Sequence, residues 1–283
     1  MTGTGSFQSG VASMPRGGRD AGWLDRRLQT DVLEYTDRDD VPDELKQRVI
    51  TGLDAIGARS GQHEQHARLA LAEVGDTPNP RILEIGAGHG RLSEQILKLH
   101  PTATVTVSDV DAKSVSNIAA GPLGSHPRAR SQVIDATAID AADGSYDLVV
   151  FALAFHHLPP GTAQRAIAEA TRVATRFLVI DLERRSPLQM VFAPLVMAPT
   201  ALAFMPRTSV WPVMHDGFIS GLRAYSRSAF VALGQAADPD MQIEFRQPPQ
   251  GTRATLRPLT IVYSRPAGRN TAAAQSISNG HES

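Results

Sequence analysis

The chain has 283 residues, with 28 Lys and Arg against 29 Asp and Glu, and its formal net charge of -1 gives no electrostatic case for gripping a polyphosphate backbone. It has no cysteine, which excludes disulfides, thiolate zinc sites, iron–sulfur clusters and a cysteine nucleophile. Histidine and carboxylate chemistry stays open.

In chain order, residues 1–20 are small and polar and contain no apolar run that could form the core of a signal peptide. They are expected to be a solvated tail of a cytoplasmic protein, as are residues 267–283. Between Trp23 and Val74 the apolar residues fall at helical spacing, as in Leu45, Val49, Ile50, Leu53 and Ile56, with Pro42 where a helix would begin. An N-terminal helical cap over 21–78 is expected.

Over 79–266 short apolar strands alternate with amphipathic helices, the texture of an α/β domain with a mostly parallel sheet. Seven strands are expected: Arg81 to Ile85, Ala103 to Ser108, Ser131 to Ile134, Tyr146 to Ala152, Phe177 to Asp181, Met241 to Phe245 and Leu259 to Tyr263. Ala163, Ala166, Ile167, Ala170, Val173 and Ala174 form the apolar stripe of the helix before the fifth. Between strands five and six, Ser186 to Pro206 carries no charge and reaches membrane-spanning length. Pro187, Pro194, Pro199 and Pro206 interrupt it, which favours a helical lid over 186–225 ahead of shallow membrane contact or a packed insertion.

The most informative segment is Arg81-Ile-Leu-Glu-Ile-Gly-Ala-Gly-His-Gly-Arg-Leu-Ser93, a strand entering a glycine turn and then a helix. Glycine admits positive φ and close approach of a ligand, and the helix start offers free amides. The spacing of Gly86, Gly88 and Gly90 is not the G-x-G-x-x-G of dinucleotide sites, because Arg91 stands where the third glycine would be. Glu84, two residues before Gly86, would repel phosphates and suits a cationic ligand such as a sulfonium carrying an amino group.

Glu84-x-Gly86-x-Gly88-x-Gly90 after a buried strand resembles the class I S-adenosylmethionine-dependent methyltransferases. Three further motifs follow in order. Asp109 ends Val105-Thr-Val-Ser-Asp109, where the family's carboxylate accepts the ribose hydroxyls; Asp135-Ala-Thr137 falls where the family reads the adenine edge; Ser145 to Pro159 is similar to the fourth-strand motif of the small-molecule branch. The resemblance covers roughly Arg81 to Tyr263. It implies a Rossmann-like sheet and S-adenosyl-L-methionine as cofactor, held by Glu84, Gly86, Ala87, Gly88, Gly90, Asp109, Val110, Asp135, Ala136 and Phe151. Val179 to Arg184 and His215 to Ser226 look like bacterial members that act on aromatic or polyketide-like metabolites.

Methyl transfer from a sulfonium needs proximity, alignment and water exclusion more than catalytic groups. A hydroxyl or amine acceptor must still lose a proton, and histidine is the usual agent. His156 and His157, directly after the fourth strand, and His215, in the expected lid, are the candidates. Phe155, Trp211, Arg223 and Tyr225 are candidates for acceptor binding. His63 and His66 flank Glu64 on an expected helix, but with no third ligand at metal spacing they are expected to face water, and no essential metal is expected. The expected activity is methyl transfer to oxygen of a small apolar metabolite, with no nucleic-acid partner. A cofactor-binding protein without transferase activity and a nicotinamide-dependent oxidoreductase are the alternatives.

Overall fold

The computed structural model describes residues 10–192, 195, 207–247 and 258–266. Before the sheet come α1 (Trp23–Leu28), a 3-10 turn (Tyr35–Asp37), α2 (Asp43–Ser60) and α3 (Gln62–Val74). Asp43 and Glu44 sit in the first turn of α2, where carboxylates complement the helix dipole, and α2 passes into α3 at Gly61, whose φ of 69° is left-handed.

The core of the fold runs β1 (Arg81–Ile85), α4 (Arg91–Leu99), β2 (Thr104–Asp109), α5 (Ala112–Ala120), β3 (Ala129–Val133), β4 (Tyr146–Ala152), a 3-10 turn (Phe155–His157), α6 (Pro160–Val173) and β5 (Ala174–Asp181). It continues through α7 (Arg207–Arg223), α8 (Arg227–Ala237), β6 (Gln242–Arg246) and β7 (Leu259–Ser264). The seven strands lie in the order β3-β2-β1-β4-β5-β7-β6, with β7 antiparallel to both neighbours. This is the mostly parallel α/β sheet that the sequence predicts. Strand ends differ by up to three residues: Ala174, placed in the helical stripe, opens β5 directly after α6 ends at Val173.

Central strands are buried on both faces because helices cover both. On one face α6 and α8 contribute Ala163, Ile167, Phe230 and Leu233 to a core with Val149 and Phe177. On the other, α3, α4 and α5 contribute Ala70, Ile96 and Ile118 against Ile82, Leu148 and Leu178. The chain moves outward from β1 to β3 and then returns to β4 on the other side of β1. The carboxyl ends of β1 and β4 therefore flank the switch point, where open α/β sheets bind ligands. Ile85 pairs with Phe151, so the loops leaving both strands emerge together.

The expected tail to residue 20 needs correcting. Val11 is 0% and Met14 4% exposed, both within the core. The Arg16 guanidinium, above the Tyr225 ring, donates to the carbonyls of His156 (2.7 Å) and Arg223. A short strap with two apolar anchors has too little periodicity to show in the sequence. Residues 1–9 and 267–283 lie outside the described residues, as does most of the uncharged stretch before Arg207. No helix among the described residues is long and apolar enough to cross a membrane.

Candidate functional site

The glycine loop leaves β1 with φ of 64° at Gly86 and 55° at Gly88. A Cβ on Gly86 would stand 2.6 Å from the Phe151 ring, so β4 forbids a side chain there. A Cβ on Gly88 would meet nothing within 4 Å, so this part of the loop faces open space. The Gly88 N–H donates to Asp109 Oδ2 (3.0 Å) and the Ala87 N–H to the Ser108 carbonyl (2.9 Å), which ties the loop to the end of β2. Asp109 Oδ1 accepts from the Asp111 N–H. Burial pushes the Asp109 carboxyl above the usual carboxylate range, opposed by these backbone donors. Val110 beside it is 69% exposed. Asp135 is exposed and folds back on the Thr137 N–H and hydroxyl, while Ala136 and Phe151 are buried.

Glu84 lies near the end of β1, with one carboxylate oxygen fixed. Its carboxylate is buried and accepts from the backbone N–H (3.1 Å) and hydroxyl of Ser93, in the first turn of α4. Burial pushes it up to about 7, against those hydrogen bonds. Through Oε2 it braces the helix that follows the glycine loop, and Oε1 is not among its bonds to Ser93. His89, within the loop, bonds Asp54 (2.6 Å) and Gln47 (3.1 Å), so α2 holds the loop from outside.

Beyond β4 the chain turns through Leu153, whose φ of 57° is a left-handed conformation that costs a non-glycine residue about 1–3 kcal/mol. Its N–H donates to the Ile180 carbonyl (2.7 Å). The turn then delivers His156 and His157 to a cluster that sequence reasoning missed. His156 Nδ1 meets Asp181 (2.7 Å) at the end of β5, and His157 Nδ1 meets Asp37 (2.7 Å) from the N-terminal segment. Their Nε2 atoms both turn to Glu34, at 3.4 Å and 3.5 Å. Burial disfavours the charged imidazole of His156, but Asp181 and Glu34 outweigh it and push the ring up to about 9. His157 and its neighbour Asp37 are partly exposed.

His215 lies one stack away, its ring 4.4 Å from that of Tyr35, the residue after Glu34. Adjacent side chains point apart in an extended segment, but α7 brings His215 Nδ1 within 2.9 Å of Asp216 Oδ1. Asp216 is buried and also accepts the Tyr35 N–H.

Three expected acceptor contacts need correcting. Phe155 is 0% exposed and packs among Phe151, Phe177, Tyr225 and Phe230. Tyr225 is equally buried, and its hydroxyl donates to the Leu158 carbonyl. Arg223 is spent on Asp37 and on the His157 carbonyl. Burial of apolar area decided the first two, and sequence gives no means of telling a core aromatic from a pocket one. Trp211, 71% exposed on α7, remains available. His66 is buried and neutral, held down to about 4 by burial, while His63 bonds the Asp54 carbonyl, so the two do not share a ligand.

Residues 82–176 match the family model of a methyltransferase domain. Over 93 residues, 33% of this chain and 34% of the relative, the chain is 38% identical to a malonyl-[acyl-carrier protein] O-methyltransferase of Geobacter sulfurreducens. Over 100 residues, 34% of this chain and 28% of the relative, it is 33% identical to a ribosomal RNA small subunit methyltransferase C of Pseudomonas entomophila. The matches span about a third of those proteins' lengths. The fold is shared with the plantazolicin methyltransferase BamL, solved in complex with a triazolic desmethylPZN analog and SAH (TM-score 0.53, 11% identity, 78% of this chain and 96% of that one). The matched segment contains all of β1 but Arg81, β2 to β4, the glycine loop, Asp109 and both histidines of the 3-10 turn.

Proposed function

We propose that the protein is an S-adenosylmethionine-dependent methyltransferase acting on oxygen of a small apolar acceptor. The observation that carries this reading is the Gly88–Asp109 pair at the switch point. A left-handed glycine faces open space there, and its amide is tied to a carboxylate ending β2. These residues fit the cofactor: the loop offers backbone where a Cβ would occupy ligand space, Asp109 would accept ribose hydroxyls, and Asp135 with the Ala136 amide would read the adenine edge. When bound, the cofactor supplies a methyl group already activated on a sulfonium. Phe151, wedged under Gly86, holds the loop in register with β4.

The acceptor proton would go to His215. Its Nδ1 is oriented by buried Asp216 and the ring is braced by Tyr35, the base-plus-orienter arrangement of general-base sites. Trp211, one helical turn earlier on α7, supports an apolar acceptor, as do exposed Leu188, Val191 and Phe192 in the expected lid. The relatives include one named for ribosomal RNA, so the acceptor is argued from these residues and not from likeness. Incubation with tritiated cofactor and a metabolite extract tests the reading: a labelled small product is expected, and His215→Ala should cut its rate about 100-fold or more with cofactor affinity unchanged. Labelled RNA would overturn the acceptor class, and no label at all would leave a binding protein.

A further inference from the structure

The buried end of β4 has a property that methyl transfer does not require. Glu34, His156 and His157 each direct one donor atom to a common point, all three within 4.8 Å of one another. Glu34 Oε1 and His156 Nε2 are fully buried and have no hydrogen-bond partner, because the 3.4 Å between them lacks hydrogen-bond alignment. Two buried polar atoms without partners are costly unless something else satisfies them.

We propose that Glu34, His156 and His157 form a binding site for a divalent transition-metal ion of the zinc type. Three observations support it. First, the donor set of two imidazoles and a carboxylate is one that zinc takes, with a fourth position left for an oxygen ligand. Second, the donors stand within reach of one ion. Ligands about 2.0–2.1 Å from a tetrahedral centre stand about 3.4 Å apart, against about 3.0 Å for an octahedral one. Here His156 Nε2 stands 3.4 Å from Glu34 Oε1 and His157 Nε2 3.5 Å from Oε2, so the carboxylate faces both rings, one oxygen to each. Third, each histidine holds a carboxylate on its other ring nitrogen, Asp181 for His156 and Asp37 for His157. That pairing fixes the tautomer that presents Nε2 to a metal.

Charge points the same way. Three carboxylates surround the rings, and besides the two histidines the Arg223 guanidinium is, among the described residues, the cation that pairs with them, reaching Asp37 (2.7 Å) and Glu34 (3.9 Å). With both rings neutral, as metal ligands are, a dication would balance the remainder. His157, 22% exposed, marks the side from which an ion or an acceptor hydroxyl would enter. The proposal does not depend on the methyltransferase reading, since metal uptake is measured without cofactor.

The full-length chain, stripped with a chelator, is titrated with zinc alone and with cobalt(II) alone. One equivalent of tight zinc and the visible bands of tetrahedral cobalt are expected. His157→Gln and Glu34→Gln should each weaken uptake at least ten-fold, and Asp37→Asn, which removes an orienting carboxylate, about 10–100-fold. His63→Gln should change nothing. Circular dichroism checks each variant, and if Glu34→Gln does not fold, His157→Gln at the exposed edge carries the comparison. No uptake by the unaltered chain would show that protons alone hold this cluster together, and uptake unchanged in His157→Gln would place the ion elsewhere; either result overturns the proposal.

Discussion

The carboxyl ends of β1 and β4 lie side by side in the sheet, yet they are made of different material. Beyond β1 the loop works through backbone: positive φ at Gly86 and Gly88, amides tied to Asp109 and Ser108, and no side chain where a ligand would approach. Beyond β4 the turn works through side chains drawn from distant segments, with Glu34 and Asp37 from the N-terminal region, Asp181 from β5 and Arg223 from α7 meeting two adjacent histidines. A backbone site is encoded locally and leaves a motif. A side-chain site is encoded by contacts across the chain and leaves none.

The contrast can be tested first at Phe155, which opens the turn after β4. As a core residue it should cost about 3–5 kcal/mol of stability on replacement by alanine, read from urea unfolding. A stable Phe155→Ala variant with a raised KM for the acceptor would return it to the pocket. The β1 end is probed through Glu84, whose folded carboxyl is raised from 4.5 to about 7. Because the folded state holds that proton more tightly, the associated stability is complete below about pH 4.5 and lost as pH rises through about 7. The urea midpoint should fall across that interval, and Glu84→Gln should flatten the fall. An unchanged slope in the variant would mean that another group sets it. The smallest effect belongs to Trp211→Ala, which should alter stability by less than about 0.5 kcal/mol while lowering turnover of an apolar acceptor. Full turnover would remove α7 from the acceptor site.

The same division explains what was legible in advance. The strands and the glycine loop follow from alternation, spacing and the carboxylate at Asp109, each a local signal. Glu34 lies 122 positions before His156 in the sequence and carries no motif, so nothing short of the fold could join them. Val11 and Met14 escaped because two apolar residues in a polar segment look like a tail. Glu84 was found at its position but its bond to Ser93 was not, since spacing shows where a carboxylate stands and not which donor meets it.

Calorimetric titration of S-adenosylhomocysteine into the unaltered chain and into Asp109→Ala tests the central claim most directly. The account predicts saturable binding to the unaltered chain, weakened about 10–100-fold in the variant by loss of a charged hydrogen-bond acceptor worth about 1.5–3 kcal/mol. Binding of NADH in place of S-adenosylhomocysteine, or equal affinity in both proteins, would contradict it.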